Sequence, residues 1–132
     1  MAFAVVSILA AGLLVAAGLP KLTAGASRSD AGLPSWVPTG AVLGVAEVGV
    51  GLWVLLTGAP EALTLLALLY LSFTAVSVHQ HRRGVSDCGC FGTQPVRPSI
   101  LHVLLNAAFT LAALATVFGG WPSMSVAETV AV

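Results

Sequence analysis

The sequence predicts an all-α fold, a four-helix transmembrane bundle, formed by one integral membrane domain over residues 1–132. Charged residues make up 8% of the chain, whereas a soluble domain has about 25%. The mean hydropathy is +1.00, and 58% of the residues are hydrophobic. Four apolar stretches each approach the ~20 residues that cross about 30 Å of hydrocarbon. This composition excludes a disordered chain, a basic nucleic-acid-binding protein and an ordinary soluble enzyme.

The four apolar stretches are bounded by residues that break helices or carry charge. The first ends at Pro20, ahead of a segment rich in Gly, Ser and Ala, and Gly58-Ala59-Pro60 is a tight break between the second and third. Trp121-Pro122 closes the fourth. None alternates polar with apolar residues as a membrane β-strand does, so each is predicted to be a spanning helix. The predicted spans are residues 2–19, 37–57, 61–79 and 99–119.

The connections between the spans differ in length and charge. Residues 20–36 and 80–98 form long connections. Two spans separate them, so both lie on the same side of the membrane. All five Lys and Arg lie in them, so the positive-inside rule puts both in the cytoplasm and both termini outside. No cleaved signal peptide is expected, because no basic residue precedes Lys21. We therefore expect a multi-pass protein of the cell membrane, in contact with the bilayer and without a nucleic-acid partner.

The only two cysteines, Cys88 and Cys90, lie one residue apart in the polar segment 80–98. A disulfide needs Cα atoms about 4.4–6.8 Å apart, so the chain has to bend at Gly89 to close one. Such a bridge is small and strained, and bridges of that kind exchange readily but add little stability. The spacing therefore predicts a redox-active dithiol, with Cys88 and Cys90 as the catalytic residues.

Charged neighbours act on the two thiols in opposite directions. Arg82 and Arg83 lie a few residues upstream and favour the reactive thiolate, whereas Asp87, adjacent to Cys88, disfavours it. The sequence leaves open which sulfur attacks first.

A metal site is an alternative function for the same segment. His79, His81, Cys88 and Cys90 supply two nitrogens and two sulfurs, a ligand set that Zn²⁺ or Cu⁺ accepts. The Cys-x-Cys spacing is tighter than that of ordinary zinc sites, and the histidines otherwise suit an interfacial position beside arginines. On this alternative the protein would bind or transport a soft metal ion.

Glu47 is the one charged residue in the second predicted span. It lies ten residues into the second span, about 15 Å deep at 1.5 Å per residue, and an acid there is a candidate functional residue. Gly40, Gly44 and Gly51 share its helical face. This pattern of small residues is typical of close helix packing, so Glu47 is predicted to face protein rather than lipid.

Three further polar residues complete the candidate site. His102 and Asn106 are four residues apart and share a face of the fourth span. We predict a polar track that runs inward from the cysteine segment through His102 and Asn106 to Glu47, for binding a substrate or quinone or for relaying protons. Lys21, at the mouth of the first span, is a candidate for the same cavity, although read alone it is expected to meet lipid head groups.

The chain resembles the MauE branch of the DoxX-like, redox-associated membrane proteins over about residues 3–118. The resemblance rests on Pro20-Lys21-Leu22 after the first span, the acid Glu47 in the second, and Cys88-Gly89-Cys90-Phe91-Gly92 before the fourth. The family's fourth helix usually has an arginine beside an Asn or Asp. Here Asn106 matches the Asn or Asp, but Leu105 precedes it, so either the role of that arginine does not carry over or His102, one turn earlier, takes part of it.

The resemblance implies thiol or disulfide handling during the maturation of partner proteins. The implied partner is a thioredoxin-like or other thiol protein, or a small thiol, and by analogy of architecture the electrons pass to a quinone. A non-catalytic assembly subunit is the remaining alternative. The methylamine system implies cysteines in the periplasm, whereas the charge count places Cys88 and Cys90 in the cytoplasm.

Overall fold

The computed structural model describes residues 1–23, 40–84 and 99–120. Within these ranges the chain is all-helical, which confirms the predicted four-helix transmembrane fold. α1, α3 and α4 are each long and apolar enough to cross a membrane, and α2 is a shorter apolar helix, so this is a multi-pass membrane protein. The helices are α1 (Ala2–Thr23), α2 (Ala41–Thr57), α3 (Pro60–Arg83) and α4 (Ile100–Gly119).

The boundaries of α1 and α2 differ from the predicted spans. α1 continues through Pro20, so Lys21 belongs to the last turn of the helix rather than to a connection. A proline inside a helix removes one hydrogen bond, and this end of α1 packs closely against α2. α2 begins at Ala41 instead of residue 37 and has 17 residues.

α3 also extends beyond its predicted end at residue 79. It ends after Arg83, where Gly84 adopts a left-handed conformation with φ of 65°. The Gly84 backbone N–H donates to the carbonyl oxygen of Gln80, which is a common way to end a helix. α4 starts as predicted, with the Ser99 side chain accepting a hydrogen bond from the backbone N–H of His102 at 3.3 Å.

The helices form a ring in which each is antiparallel to its neighbours. α1 packs mainly on α2, and α3 packs mainly on α4. Ser7 at the start of α1 shares a hydrogen bond of 3.0 Å with Thr116 near the end of α4. The ends of α1 and α3 therefore lie beside the starts of α2 and α4. We call this the long-loop end, because both long connections join the helices there.

The apolar core lies in the middle of the ring. The Tyr70 hydroxyl crosses it to donate to the carbonyl oxygen of Ala10 at 2.7 Å, and its ring meets Phe109 edge-on at 5.0 Å. Large apolar side chains on the outer faces are exposed, as expected for helices surrounded by lipid. The core residues are Ala10, Ala11, Leu14, Val54, Ala62, Leu63, Leu66, Ala67, Tyr70 and Ala113.

Candidate functional site

A buried ion pair joins α1 to α2 at the long-loop end. The Lys21 ammonium donates to both carboxylate oxygens of Glu47, at 2.6 Å to Oε1 and 2.8 Å to Oε2. The two side chains are 4% and 1% exposed. Glu47 thus faces protein, as predicted, but the expectation that Lys21 meets lipid head groups is wrong. Its ammonium is held inside the bundle by the Glu47 carboxylate.

The ion pair lies closer to the long-loop end than the sequence predicted. Because α2 begins at Ala41, Glu47 is about 9 Å inside the helix rather than about 15 Å. Ser77 lies six residues before the end of α3, and Asn106 lies six residues after the start of α4. Glu47 is likewise six residues from the start of α2. Polar residues of three helices therefore share one level of the bundle, about 9 Å from the ends that carry the long connections.

Two glycines allow the ion pair to form. A Cβ placed on Gly18 would lie 2.9 Å from the Cβ of Glu47, and a Cβ placed on Gly44 would lie 3.0 Å from the Cβ of Lys21. Each charged residue follows a glycine by three positions, and each glycine faces the stem of the opposite partner. We call Gly18 and Gly44 the glycine seam. It brings the two backbones close enough for a lysine and a glutamate to meet.

The glycine spacing predicted that Gly40, Gly44, Glu47 and Gly51 share one helical face, and three of these four residues do. Gly44, Glu47 and Gly51 are buried against α1, and a Cβ on Gly51 would lie 2.8 Å from the carbonyl oxygen of Ala11. Gly40 is different, because it precedes α2 with a φ of 66°. It therefore lies just before the first residue of the helix instead of on its buried face.

The glycine seam makes a prediction with a matched control on the same helix. Gly44→Ala is expected to destabilise the protein by about 1–3 kcal/mol, because the added Cβ is forced against backbone at 2.9 Å from the Gly18 carbonyl oxygen. Gly49→Ala is expected to be neutral or stabilising by up to about 1 kcal/mol from helix propensity, since nothing lies within 4 Å of it. Thermal unfolding in detergent measures both. Equal effects of the two substitutions would contradict the packing described.

A second polar cluster joins α3 to α4 at the same end. The Asn106 side-chain amide donates to Ser77 Oγ at 3.4 Å, and Ser77 is buried. Gln80, almost one turn further along α3, is fully buried as well. Sequence reasoning missed Gln80 because it placed the end of the helix at residue 79. The signal was its spacing of three from Ser77, which puts both residues on one helical face.

The two clusters remain separate in the described hydrogen bonds. Glu47 bonds to Lys21, Asn106 bonds to Ser77, and no hydrogen bond among the described residues joins Asn106 to Glu47. His102 lies half-buried in the first turn of α4. The track from His102 through Asn106 to Glu47 therefore stays a prediction, although all three residues belong to the long-loop end.

α3 carries both histidines of the alternative metal site, and both are exposed. Residues two apart on a helix do not face each other, so His79 and His81 lie on different sides of α3. Within the described ranges no three His, Cys, Asp or Glu side chains are grouped as metal ligands. Cys88 and Cys90, the other half of the set, lie outside the described residues.

The predicted dithiol belongs, in sequence, to the long connection between α3 and α4. Cys88 follows Arg83, the last residue of α3, by five positions, and Cys90 precedes Ile100, the first residue of α4, by ten. Both helices meet this connection at the long-loop end, which is the end that buries Lys21 and Glu47.

The comparisons with known proteins address the whole bundle. No curated protein and no solved structure matches the chain. The family model described as "Methylamine utilisation protein MauE" matches residues 1–119. The matched range includes all four helices, the glycine seam, the ion pair and both cysteines. The chain therefore belongs to the MauE family of methylamine utilisation proteins, a family of membrane proteins.

Proposed function

We propose that this MauE-family protein is a thiol–disulfide redox protein of the membrane, with Cys88 and Cys90 as its reactive pair. One observation carries the proposal. In sequence, the chain's only two thiols belong to the connection between α3 and α4, which joins these helices at the end of the bundle where charged and polar side chains are buried. A lipid-facing bundle has no packing need for buried Lys and Glu, and such residues usually mark a functional site.

The exchange follows ordinary thiolate chemistry. One cysteine thiolate attacks a disulfide of the partner, which forms a mixed disulfide and releases one partner thiolate. The second cysteine then attacks the first, so the Cys88–Cys90 disulfide forms and the second partner thiolate leaves. Two electrons pass from the dithiol to the partner, and the two protons given up by the cysteines are taken up by the two released thiolates. The reverse sequence oxidises a partner dithiol.

The thiol partner is a thioredoxin-like protein, another thiol protein or a small thiol, and a membrane quinone is the proposed second redox partner. Two of the three N–H groups of Lys21 donate to Glu47. The third can donate to a carbonyl oxygen such as that of a quinone. A bound quinone would accept two electrons and two protons. Lys21, Glu47, His102 and Asn106 are the residues proposed to hold it and to relay protons.

Thiol trapping in cells tests the redox proposal. After acid quenching, a permeant maleimide reagent of high mass should resolve two species, a doubly modified dithiol and an unmodified disulfide. Brief exposure to an oxidant should shift the population to the unmodified form, and dithiothreitol should return it. A pair that stays fully modified under oxidant would contradict the proposal, because Cys88 and Cys90 would then not form a disulfide.

The same reagents determine the orientation. We propose that the long-loop end is cytoplasmic, because all five Lys and Arg lie in or beside the two long connections. A membrane-impermeant maleimide should therefore leave Cys88 and Cys90 unlabelled on intact cells and label both in inverted vesicles. Labelling on intact cells would show that the long-loop end lies outside the cytoplasm. It would favour disulfide formation on that side, and the proposed redox chemistry itself would stand.

A further inference from the structure

Lys21 and Glu47 lie at different depths within their own helices. Lys21 is in the last turn of α1, two residues before its end at Thr23. Glu47 is six residues inside α2, or about 9 Å at 1.5 Å per residue. A lysine near a helix end extends its long side chain to the interface while the helix is alone in the membrane. The shorter side chain of Glu47 does not reach the interface from its depth, so α2 alone has to carry a carboxylate into hydrocarbon.

α2 also has the least length with which to cross a membrane by itself. It has 17 residues, whereas α1, α3 and α4 are each long and apolar enough to span. An acidic side chain in a spanning helix opposes its insertion, and Gly44, Gly49 and Gly51 add little apolar surface because they have no Cβ. α1 precedes α2 in the chain and is the helix on which α2 mainly packs. The cation that neutralises Glu47 is therefore already present when α2 is synthesised.

We propose that α2 enters the membrane only together with α1, because the Lys21 ammonium neutralises the Glu47 carboxylate as the two helices insert. The paired groups are 2.6 and 2.8 Å apart in the bundle, and the glycine seam lets the two backbones approach closely enough for this contact. α1 and α2 thus form one insertion unit, in which the ion pair fixes the number of membrane crossings. This role goes beyond the proposed redox function and does not depend on it.

Two other roles of Lys21 make different predictions. If the pair serves only the stability of the folded bundle, a substitution that strands either charge disturbs the protein, whichever partner is removed. If Lys21 acts only as one of the positive charges that orient the long-loop end, its loss changes the topology whatever residue is at position 47. A dependence on Lys21 that disappears when Glu47 is replaced is therefore the property that assigns the pairing.

The experiment measures on which side of the membrane the short connection between α2 and α3 lies. The full chain carries Cys88→Ser/Cys90→Ser, which removes both native thiols, and one new cysteine. Thr23→Cys reports the long-loop end and Glu61→Cys reports the start of α3, and both positions are exposed. A membrane-impermeant maleimide is applied to intact cells and to inverted vesicles. The two positions are labelled from opposite sides if α2 is inserted, and from the same side if α2 stays outside the membrane.

Four variants of this labelled chain assign the effect. Lys21→Met should lower the ratio of inserted to non-inserted α2 at least about tenfold, because the carboxylate then enters without a counter-charge. Glu47→Gln should keep the native topology although it strands the lysine, because Lys21 can extend to the interface. The double variant Lys21→Met/Glu47→Leu should restore the native topology. Lys21→Arg, the matched control that keeps the positive charge, should retain it.

Three results would overturn the inference. One is native topology in the Lys21→Met chain, and another is an equal loss of topology in the Glu47→Gln chain, which would assign the effect to bundle stability. The third is a Lys21→Met/Glu47→Leu chain as defective as Lys21→Met, which would make Lys21 a topological signal instead of a partner. If the Lys21→Met chain does not accumulate in cells, translation in vitro into inverted vesicles provides the same labelling measurement.

Discussion

Glu47→Gln is expected to destabilise the bundle by about 3–5 kcal/mol, because it leaves the Lys21 ammonium buried without its counter-charge. The two groups are 2.6–2.8 Å apart and almost fully buried. A glutamine fits the same space and can accept one hydrogen bond, but it carries no charge. Lys21→Met should be destabilising for the converse reason, since it strands the carboxylate.

Removing both charges is expected to restore much of the stability. In the double variant Lys21→Met/Glu47→Leu no buried charge remains, and replacing a buried ion pair by apolar side chains is often neutral or stabilising by about 1–4 kcal/mol. Thermal or denaturant unfolding in detergent measures the cycle. Glu61→Gln is the matched control, because Glu61 is exposed in the first turn of α3 and its loss should cost less than about 1 kcal/mol.

The double variant also separates structure from function. If Lys21→Met/Glu47→Leu is as stable as the wild type but has lost turnover in cells, the ion pair has a role in the reaction. Full activity in that variant would assign the pair to packing and would remove Lys21 and Glu47 from the proposed site. A Glu47→Gln variant as stable as the Glu61→Gln control would contradict the buried pairing itself.

Cys88→Ser and Cys90→Ser are each expected to abolish turnover while leaving stability almost unchanged. Turnover needs both sulfurs, because one attacks the partner and the other resolves the mixed disulfide. Stability should not change, because a bridge across one residue constrains the unfolded chain very little. Exchange assays with a small disulfide, together with thermal unfolding of each variant, measure the two effects.

The single variants also reveal the order of attack. The variant that lacks the resolving cysteine should accumulate a mixed disulfide, visible as a mass increase, whereas the variant that lacks the attacking cysteine should form none. Replacement of both cysteines without loss of function would contradict the redox proposal. That result would favour the assembly-subunit alternative, in which the chain holds a maturation partner in place.

The sequence predicted the fold because composition and apolar length are local properties. The burial of Glu47 was predictable for the same reason, since the spacing of Gly44 and Gly51 is visible within one helix. The helix ends were less predictable. Apolar stretches stop at the first charge or proline, whereas helical hydrogen bonding continues through Pro20 in α1 and through the charged last turn of α3 as far as Gly84.

The partner of Glu47 was not predictable from local patterns. Lys21 is 26 positions away in the chain, and its position at a helix end is typical of a side chain that extends towards head groups. What redirects it is the glycine seam, where Gly18 of α1 faces Gly44 of α2. Contacts between helices decide which way a long side chain turns, and they follow from the packing of the whole bundle.

The length of α2 has a consequence for the membrane itself. Its 17 residues give about 26 Å of helix, against about 30 Å of hydrocarbon in a typical bilayer. α3, with 24 residues, is long enough for the same thickness. Such hydrophobic mismatch costs a fraction of a kcal/mol per Å and is relieved by local thinning. A bilayer that thins beside α2 brings water closer to the helix that carries Glu47.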